Sequence, residues 1–245
     1  MSQSREIPQR RSGGPALAPG SESFFLLRDP DSATDSFDCV RSVVRHYARG
    51  SAIYRQGERG SDFYRLVSGR VRIHIAMANG AERVLSFAEP GSTFGESACF
   101  DDRPYYTSAV AVRPSEVRVI GRHAVLQAAR DRPEVLHDVF RALVRKQRQL
   151  AMHVAAQGLP AGDRAVLLLS SMVDVYGDAA AGGRQVRLHP GLTIEELASM
   201  VGVNRVTMSR ELSDLVRRGI LAKQGLDIIV IDPQALHEAA ARLGV

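Results

Sequence analysis

The sequence predicts an α+β chain: an N-terminal β-roll of the cupin-like jelly-roll kind, a long helix, and a C-terminal winged helix-turn-helix. Three observations carry this. Between about residues 40 and 120, short runs alternate apolar and polar residues, punctuated by Gly50, Gly57, Gly69, Gly80, Gly91 and Gly95. Many short strands with glycine corners are the mark of a roll or barrel. From Arg132 to Ala156 the apolar residues recur at spacings of four and three, the period of a helix with a seam. From Thr193 to Leu221 two amphipathic helical patterns flank a glycine, and Ile220–Ile231 then reads as two short strands around a Gln-Gly turn.

A chain of 245 residues can build two modest domains with cores of their own. Residues 1–23 are rich in Ser, Pro, Gly and Arg and contain no signal-peptide apolar segment, so a disordered arm is expected there. No apolar run is long enough to span a bilayer. The expectation is a cytoplasmic protein with no membrane partner. Two cysteines, Cys39 and Cys99, suit a reducing compartment and are too few for a four-cysteine iron–sulfur cluster from one chain. The net charge of +5 is compatible with a nucleic-acid partner without establishing one. Glu195, Glu196, Glu211 and Asp214 nearly balance the C-terminal arginines, and the excess lies in the arm and in Arg141, Arg145, Lys146 and Arg148. Any argument for DNA therefore rests on local pattern.

The domain boundaries expected are a roll over 24–130, a helix over 131–157 and the winged helix-turn-helix over 158–245. Along the helix, Leu136, Phe140, Leu143, Gln147, Leu150 and Val154 form a heptad seam. Such a stripe can pack on its own roll or on a second copy, and its length favours the second copy. Gln147, polar within the seam, can set register or reach a ligand. Gly158–Gly162 reads as a hinge. Asp163–Tyr176 reads as a helix, and Asp178–Gly183 as a small-residue loop.

In the helix-turn-helix, Thr193 and Glu196 have the spacing of a capping box. Gly202 falls where the turn needs a left-handed residue. Asn204 can cap a second helix, Arg205–Arg218, with Val206, Met208, Leu212 and Leu215 on its inward face and Gly219 as its stop. Arg205, Thr207, Ser209 and Arg210 stay exposed near its start, where a recognition helix carries base and phosphate contacts. An ordinary helical hairpin with solvated arginines is the plainer alternative. The wing and the second domain weigh against it.

The order of roll, long helix, hinge and winged helix resembles the cyclic-AMP receptor protein / fumarate–nitrate reductase regulator (CRP/FNR) family over roughly residues 40–233. The motifs are ARGSAIYRQGE, FYRLVSGRVRI, EPGSTFGES followed by TSAVAV, and GVNRVTMSREL followed by GIL. The resemblance implies a homodimeric transcription regulator, not an enzyme. It would bind double-stranded DNA as an inverted repeat, contact RNA polymerase and be controlled by a small effector bound in the roll. Thr193, Asn204, Arg205, Val206, Thr207, Ser209 and Arg210 become the DNA-binding set. Arg210 suits a bidentate guanine contact. The family glutamate is replaced by Val206, which cannot accept from cytosine but can pack on a thymine methyl, so a half-site richer in A·T is expected.

For the effector, the resemblance singles out Gly95, Glu96, Ser97, Tyr105, Tyr106, Thr107, Ser108 and Gln147. Gly95-Glu96 match the cyclic-nucleotide pattern, but Tyr106-Thr107-Ser108 stand where its phosphate-binding arginine belongs. A phosphodiester would be poorly paired there, which argues against cyclic AMP, although Arg103 could substitute. The two tyrosines suit a small planar effector or simply cover the roll. No histidine constellation suggests haem, and no metal is expected. The alternatives are an effector-independent regulator, a redox-responsive one through Cys99, and more remotely a cupin-type metal enzyme.

Overall fold

The computed structural model describes residues 26–27, 36–179, 185–188, 192–224 and 227–244. The arm expected over residues 1–23 lies outside them.

Two sheets face each other in the N-terminal half. One has the order β1-β6-β5-β8-β3, built from β1 (Leu26–Leu27), β3 (Ala52–Tyr54), β5 (Val71–Ala76), β6 (Glu82–Ala88) and β8 (Ser108–Ala111). The other is β2-β9-β4-β7, from β2 (Val43–Tyr47), β4 (Asp62–Ser68), β7 (Thr93–Phe94) and β9 (Ser115–Gly121). Pairing is antiparallel except for β1, which runs parallel to β6. The glycine corners do what their spacing suggests. At Gly69 the backbone turns with φ +92°, and a Cβ would lie 2.3 Å from Ser115 Oγ, so only glycine closes that turn.

Helices α1 (Glu96–Asp101) and α2 (Arg122–Asp131) lead to α3 (Glu134–Ala156). Val135 and Val139 of α3 join a buried cluster with Phe37, Phe63, Cys99, Ile120 and Val125. This gives α3 an inward stripe, Val135, Val139, Ala142, Lys146, Gln149, His153 and Ala156, all buried or half-buried. One residue further round lie Phe140, Leu143, Gln147, Leu150 and Val154, all exposed, with Phe140 at 65% and Val154 at 66%, whereas Leu136, expected to open that seam, is half-buried against the roll cluster.

The C-terminal half contains α4 (Ala161–Tyr176), α5 (Ile194–Val201), α6 (Arg205–Arg217) and α7 (Pro233–Ala241). Its sheet has the order β10-β11-β13-β12, from β10 (Gly177–Ala179), β11 (Val186–Leu188), β12 (Leu221–Gln224) and β13 (Asp227–Val230). The two strands expected over Ile220–Ile231 form as β12 and β13, and β10 and β11 extend them to four. Asp178 and Ala179 are strand rather than loop, because β10 pairs with β11 from Gly177↔Leu188 to Ala179↔Val186. The hinge is also shorter than its sequence pattern. Pro160 caps α4, and Gly162 already lies in its first turn, facing Glu211 of α6.

The halves are not separate bodies. Helix α5 packs on β6, and the Val84 amide donates to Ser199 Oγ at 3.0 Å. Val84 and Phe87 of the roll share one apolar core with Leu168, Met200, Met208 and Val230.

Helix α7 is held to α4 by His237 Nε2, 3.0 Å from Asp174 Oδ1. The hydrogen bond to Asp174 raises the His237 pKa against the opposing effect of burial. A raised histidine contributes stability that is complete below its ordinary value and is lost as pH rises through the folded one. The pair is part-exposed, so its contribution is at most about 1 kcal/mol after solvent screening. The melting-temperature advantage of wild type over Asp174→Asn should therefore be largest below about pH 6.5 and shrink above it. A pH-independent difference would contradict this assignment.

Candidate nucleic-acid interface and regulatory site

The local sequence signals of the helix-turn-helix are met in detail. Thr193 Oγ1 accepts from the Glu196 amide at 3.1 Å, and the Glu196 carboxylate accepts from the Thr193 amide at 2.8 Å, closing the capping box. Gly202 ends α5 at φ +70°. Asn204 Oδ1 accepts from the Thr207 amide at 2.8 Å, starting α6. Met208, Leu212 and Leu215 face the core. Gly219, at φ +72°, follows the end of α6.

Val206 departs from the expected inward face. It is 76% exposed, because it lies about 200° round the helix from Met208. It stands beside exposed Arg205 and Arg210 on the outer surface, with Thr207 and Ser209 half-buried at its edge. Arg205 Nε lies 3.6 Å from Glu195 Oε1, an exposed pair. Arg210 has no ion-pair partner among the described residues. Arg217 and Arg218 both lie against Asp214. The outer face of α6 thus offers one free guanidinium, one loosely held guanidinium and an apolar knob, the donor and methyl-contact chemistry that reads base edges in a major groove.

In the roll, the candidate effector residues separate into three groups. Gly95 turns the chain at φ +83°, and a Cβ there would meet the Tyr64 ring at 3.0 Å and the Tyr54 ring at 3.1 Å. Its role is backbone. Tyr105 is 4% exposed and sits in an aromatic stack, not beside an open site. Its ring centroid is 4.0 Å from Tyr54, which stacks on Tyr64 at 5.4 Å, which stacks on Phe94 at 5.4 Å. Burial raises the pKa of Tyr54, Tyr64 and Tyr105, keeping all three neutral. Tyr106 is 62% exposed, and desolvation of its hydroxyl, with the nearby Glu96 and Asp101 charges, raises its pKa. Thr107 and Ser108 are buried; Thr107 Oγ1 lies 3.3 Å from the Tyr54 hydroxyl, and Ser108 Oγ accepts from the Gln56 amide at 3.0 Å.

Glu96 is buried, and Ser97 beside it is half-buried. The Glu96 carboxylate is met by Lys146 of α3, whose Nζ donates to Glu96 Oε1 and, at 2.8 Å, to the Thr93 carbonyl. Burial alone would raise the Glu96 pKa, but the Lys146 charge and hydrogen bond and the Thr93 hydroxyl outweigh it, and the net direction is down. Gln149, next on the same stripe, is buried, and its amide nitrogen has no acceptor among the described residues. Burial, aided by the Arg83 charge, lowers the His153 pKa to about 4. Gln147, the long-helix candidate, lies on the exposed stripe and faces away from its own roll. Lys146 and Gln149 take the place expected of it. A count of the second heptad stripe, starting from Val135, would have found them.

Cys99 is fully buried, and burial pushes its thiol up to about 11, the opposite of a reactive thiolate. The described residues contain no group of three His, Cys, Asp or Glu that could hold a metal, and no helix long and apolar enough to cross a membrane.

Residues 44–132 match the cyclic nucleotide-binding domain family, and residues 165–239 match the Crp-like helix-turn-helix domain. The CRP-like cAMP-activated global transcriptional regulator of Mycobacterium tuberculosis (strain ATCC 25618 / H37Rv) is 30% identical over 199 residues, covering 79% of this chain and 86% of that protein. The chain belongs to the CRP/FNR family of transcription regulators. The cyclic AMP receptor protein of Thermus thermophilus (strain ATCC 27634 / DSM 579) is 29% identical, covering 80% of this chain and 87% of its own. Among solved structures, a CRP-family transcriptional regulator from Thermus thermophilus superposes with a TM-score of 0.66 at 27% identity, covering 80% of this chain and 96% of that one. FixK2 from Bradyrhizobium japonicum superposes with a TM-score of 0.71 at 23% identity, covering 82% and 98%, and shares the fold. As a CRP/FNR member the protein is a DNA-binding transcription regulator, and α6 lies within its Crp-like helix-turn-helix domain.

Glu96→Gln should leave the half-buried Lys146 ammonium without its anion, a loss of about 1–3 kcal/mol. A carboxylate with a depressed pKa contributes stability above its unfolded value that is lost as pH falls through the folded one. The destabilisation by Glu96→Gln should therefore be full at neutral pH and narrow below about pH 4.5. Chemical denaturation of both proteins across that range reads it directly.

Proposed function

We propose that the protein is a homodimeric, sequence-specific transcription regulator that binds an inverted-repeat site, contacts RNA polymerase and acts in the cytoplasm. The exposed stripe Phe140, Leu143, Leu150 and Val154 carries the dimer reading. An uncovered apolar stripe at heptad spacing on a solvent-facing helix calls for a matching helix, and the same stripe on a second copy supplies it. Two recognition helices related by a two-fold axis, about 34 Å apart, would enter successive major grooves on one face of the DNA. Within each half-site, Arg210 is the guanine reader, Arg205 and Thr207 contact phosphates or base edges, and Ser209 supports them. Thr193 and Asn204 present the two helix starts to the backbone. Val206 packs on a thymine methyl.

Control is exerted through the roll on α3. The Mycobacterium tuberculosis relative is described as cAMP-activated. Cyclic AMP is not the input proposed for this chain, since Tyr106-Thr107-Ser108 bring no cation to a cyclic phosphate. A redox input through Cys99 is disfavoured by its inert thiol. Two inputs remain from the sequence, a different small effector beside Glu96 or none, and the choice between them turns on Glu96.

Selection from a random DNA pool by the purified protein tests the core reading, with an inverted repeat as the expected product. Val206→Glu should move preference at one position of each half-site toward G·C by roughly tenfold, about 1–3 kcal/mol of discrimination. Equal preferences in both proteins would remove Val206 from the reading surface. Phe140→Asp with Leu150→Asp should convert the dimer to monomer in light scattering and abolish high-affinity binding. A doubly substituted protein that stays dimeric would place the interface elsewhere.

A further inference from the structure

We infer that Lys146 is a built-in ligand of the regulatory site: its ammonium takes the position that an effector's donor would take on Glu96, and so fixes α3 without any small molecule. The inference rests on the homodimer reading and names how that dimer is regulated.

Three observations support it. First, the contact is complete. Lys146 Nζ bonds Glu96 Oε1 and the Thr93 carbonyl, and the side chain of Glu96 is 6% exposed. Second, the pair joins the two parts that an effector would join. Glu96 opens α1 after the Gly95 corner of the roll, and Lys146 lies midway along α3. Third, packed aromatic side chains line the roll interior beside it. Tyr54, Tyr64, Tyr105 and Phe94 stack in series, and Thr107 is engaged with Tyr54.

The charges are balanced as they stand. A cyclic nucleotide that used Glu96 for its sugar hydroxyls would have to pull the carboxylate away from Lys146, leaving a half-buried ammonium to find another anion. An uncharged effector would face the same exchange. Lys146 therefore sets specificity by occupancy: it excludes ligands that need Glu96 and performs their positioning role. It acts on DNA binding only through the placement of α3, as a positioning residue.

The test measures binding of the selected inverted repeat by fluorescence anisotropy, with and without cyclic AMP, for the full-length wild type and three variants. Wild type should bind without additive, and cyclic AMP should change its affinity by less than about twofold. Lys146→Arg keeps a cation and should stay within about threefold of wild type. Lys146→Met should weaken binding roughly tenfold or more while remaining dimeric in light scattering. Glu96→Gln combined with Lys146→Met removes the stranded carboxylate and restores stability, but it lacks the tie, so its binding should stay weak. If the double variant binds DNA like wild type, the lysine has a merely structural role and the inference falls. It also falls if wild type binds only after cyclic AMP is added. In both of those cases the homodimer reading stands. If wild type selects no inverted repeat under either condition, the functional reading fails first.

Discussion

The contact of half-buried Lys146 with buried Glu96 ties the middle of α3 to the roll. Apolar packing holds both ends of the helix, Val135 and Val139 against the roll cluster and Met152 and Ala156 against the shared core. Between those ends the inward stripe turns polar at Lys146, Gln149 and His153. The ion pair is a directional contact in that stretch. The exposed apolar stripe lies one residue further on, about 100° round the helix. Any rotation that satisfied the roll differently would swing Phe140, Leu143, Leu150 and Val154 with it. Roll and seam are thus two readouts of one helical angle.

The winged helix is coupled to the same frame by a different kind of contact. Helix α5 lies on β6, with the Ser199 hydroxyl on the Val84 amide and Phe87 in the shared core. Arg83, on the same strand, approaches Gly202 at the end of α5 and lowers the pKa of His153 on α3. One short segment of β6 therefore touches both the long helix and the first helix of the DNA-reading motif. The recognition helix itself takes no part in this packing on its outer face, and so its reading surface is set by its own caps and core residues.

Much of this was legible from sequence. Capping box, left-handed glycine and second cap are short-range chemistry, written in Thr193, Glu196, Gly202 and Asn204, and each forms the contact its spacing implies. The glycine corners of the roll were equally plain. Long-range facts were not. Helical periodicity placed Val206 with the apolar residues, although its angle differs from that of Met208. Tyr105 and Tyr106 are adjacent in sequence but differ in burial, the first packed in the aromatic stack and the second largely exposed. Lys146 looked like one more charge in a basic run. Only the second stripe of α3, with the buried acid opposite, gives it a role. The strand at Gly177–Ala179 escaped because its residues have low strand propensity, and it exists through pairing with β11.

The shared core has a consequence for how the chain can be divided. Here the segment at Gly158–Pro160 is short, but cutting there would not free a finished module. The excised C-terminal half would carry an uncovered apolar patch where Val84 and Phe87 had been, and the excised roll would lose the counterpart of β6. Each half has become part of the other's solvent shield.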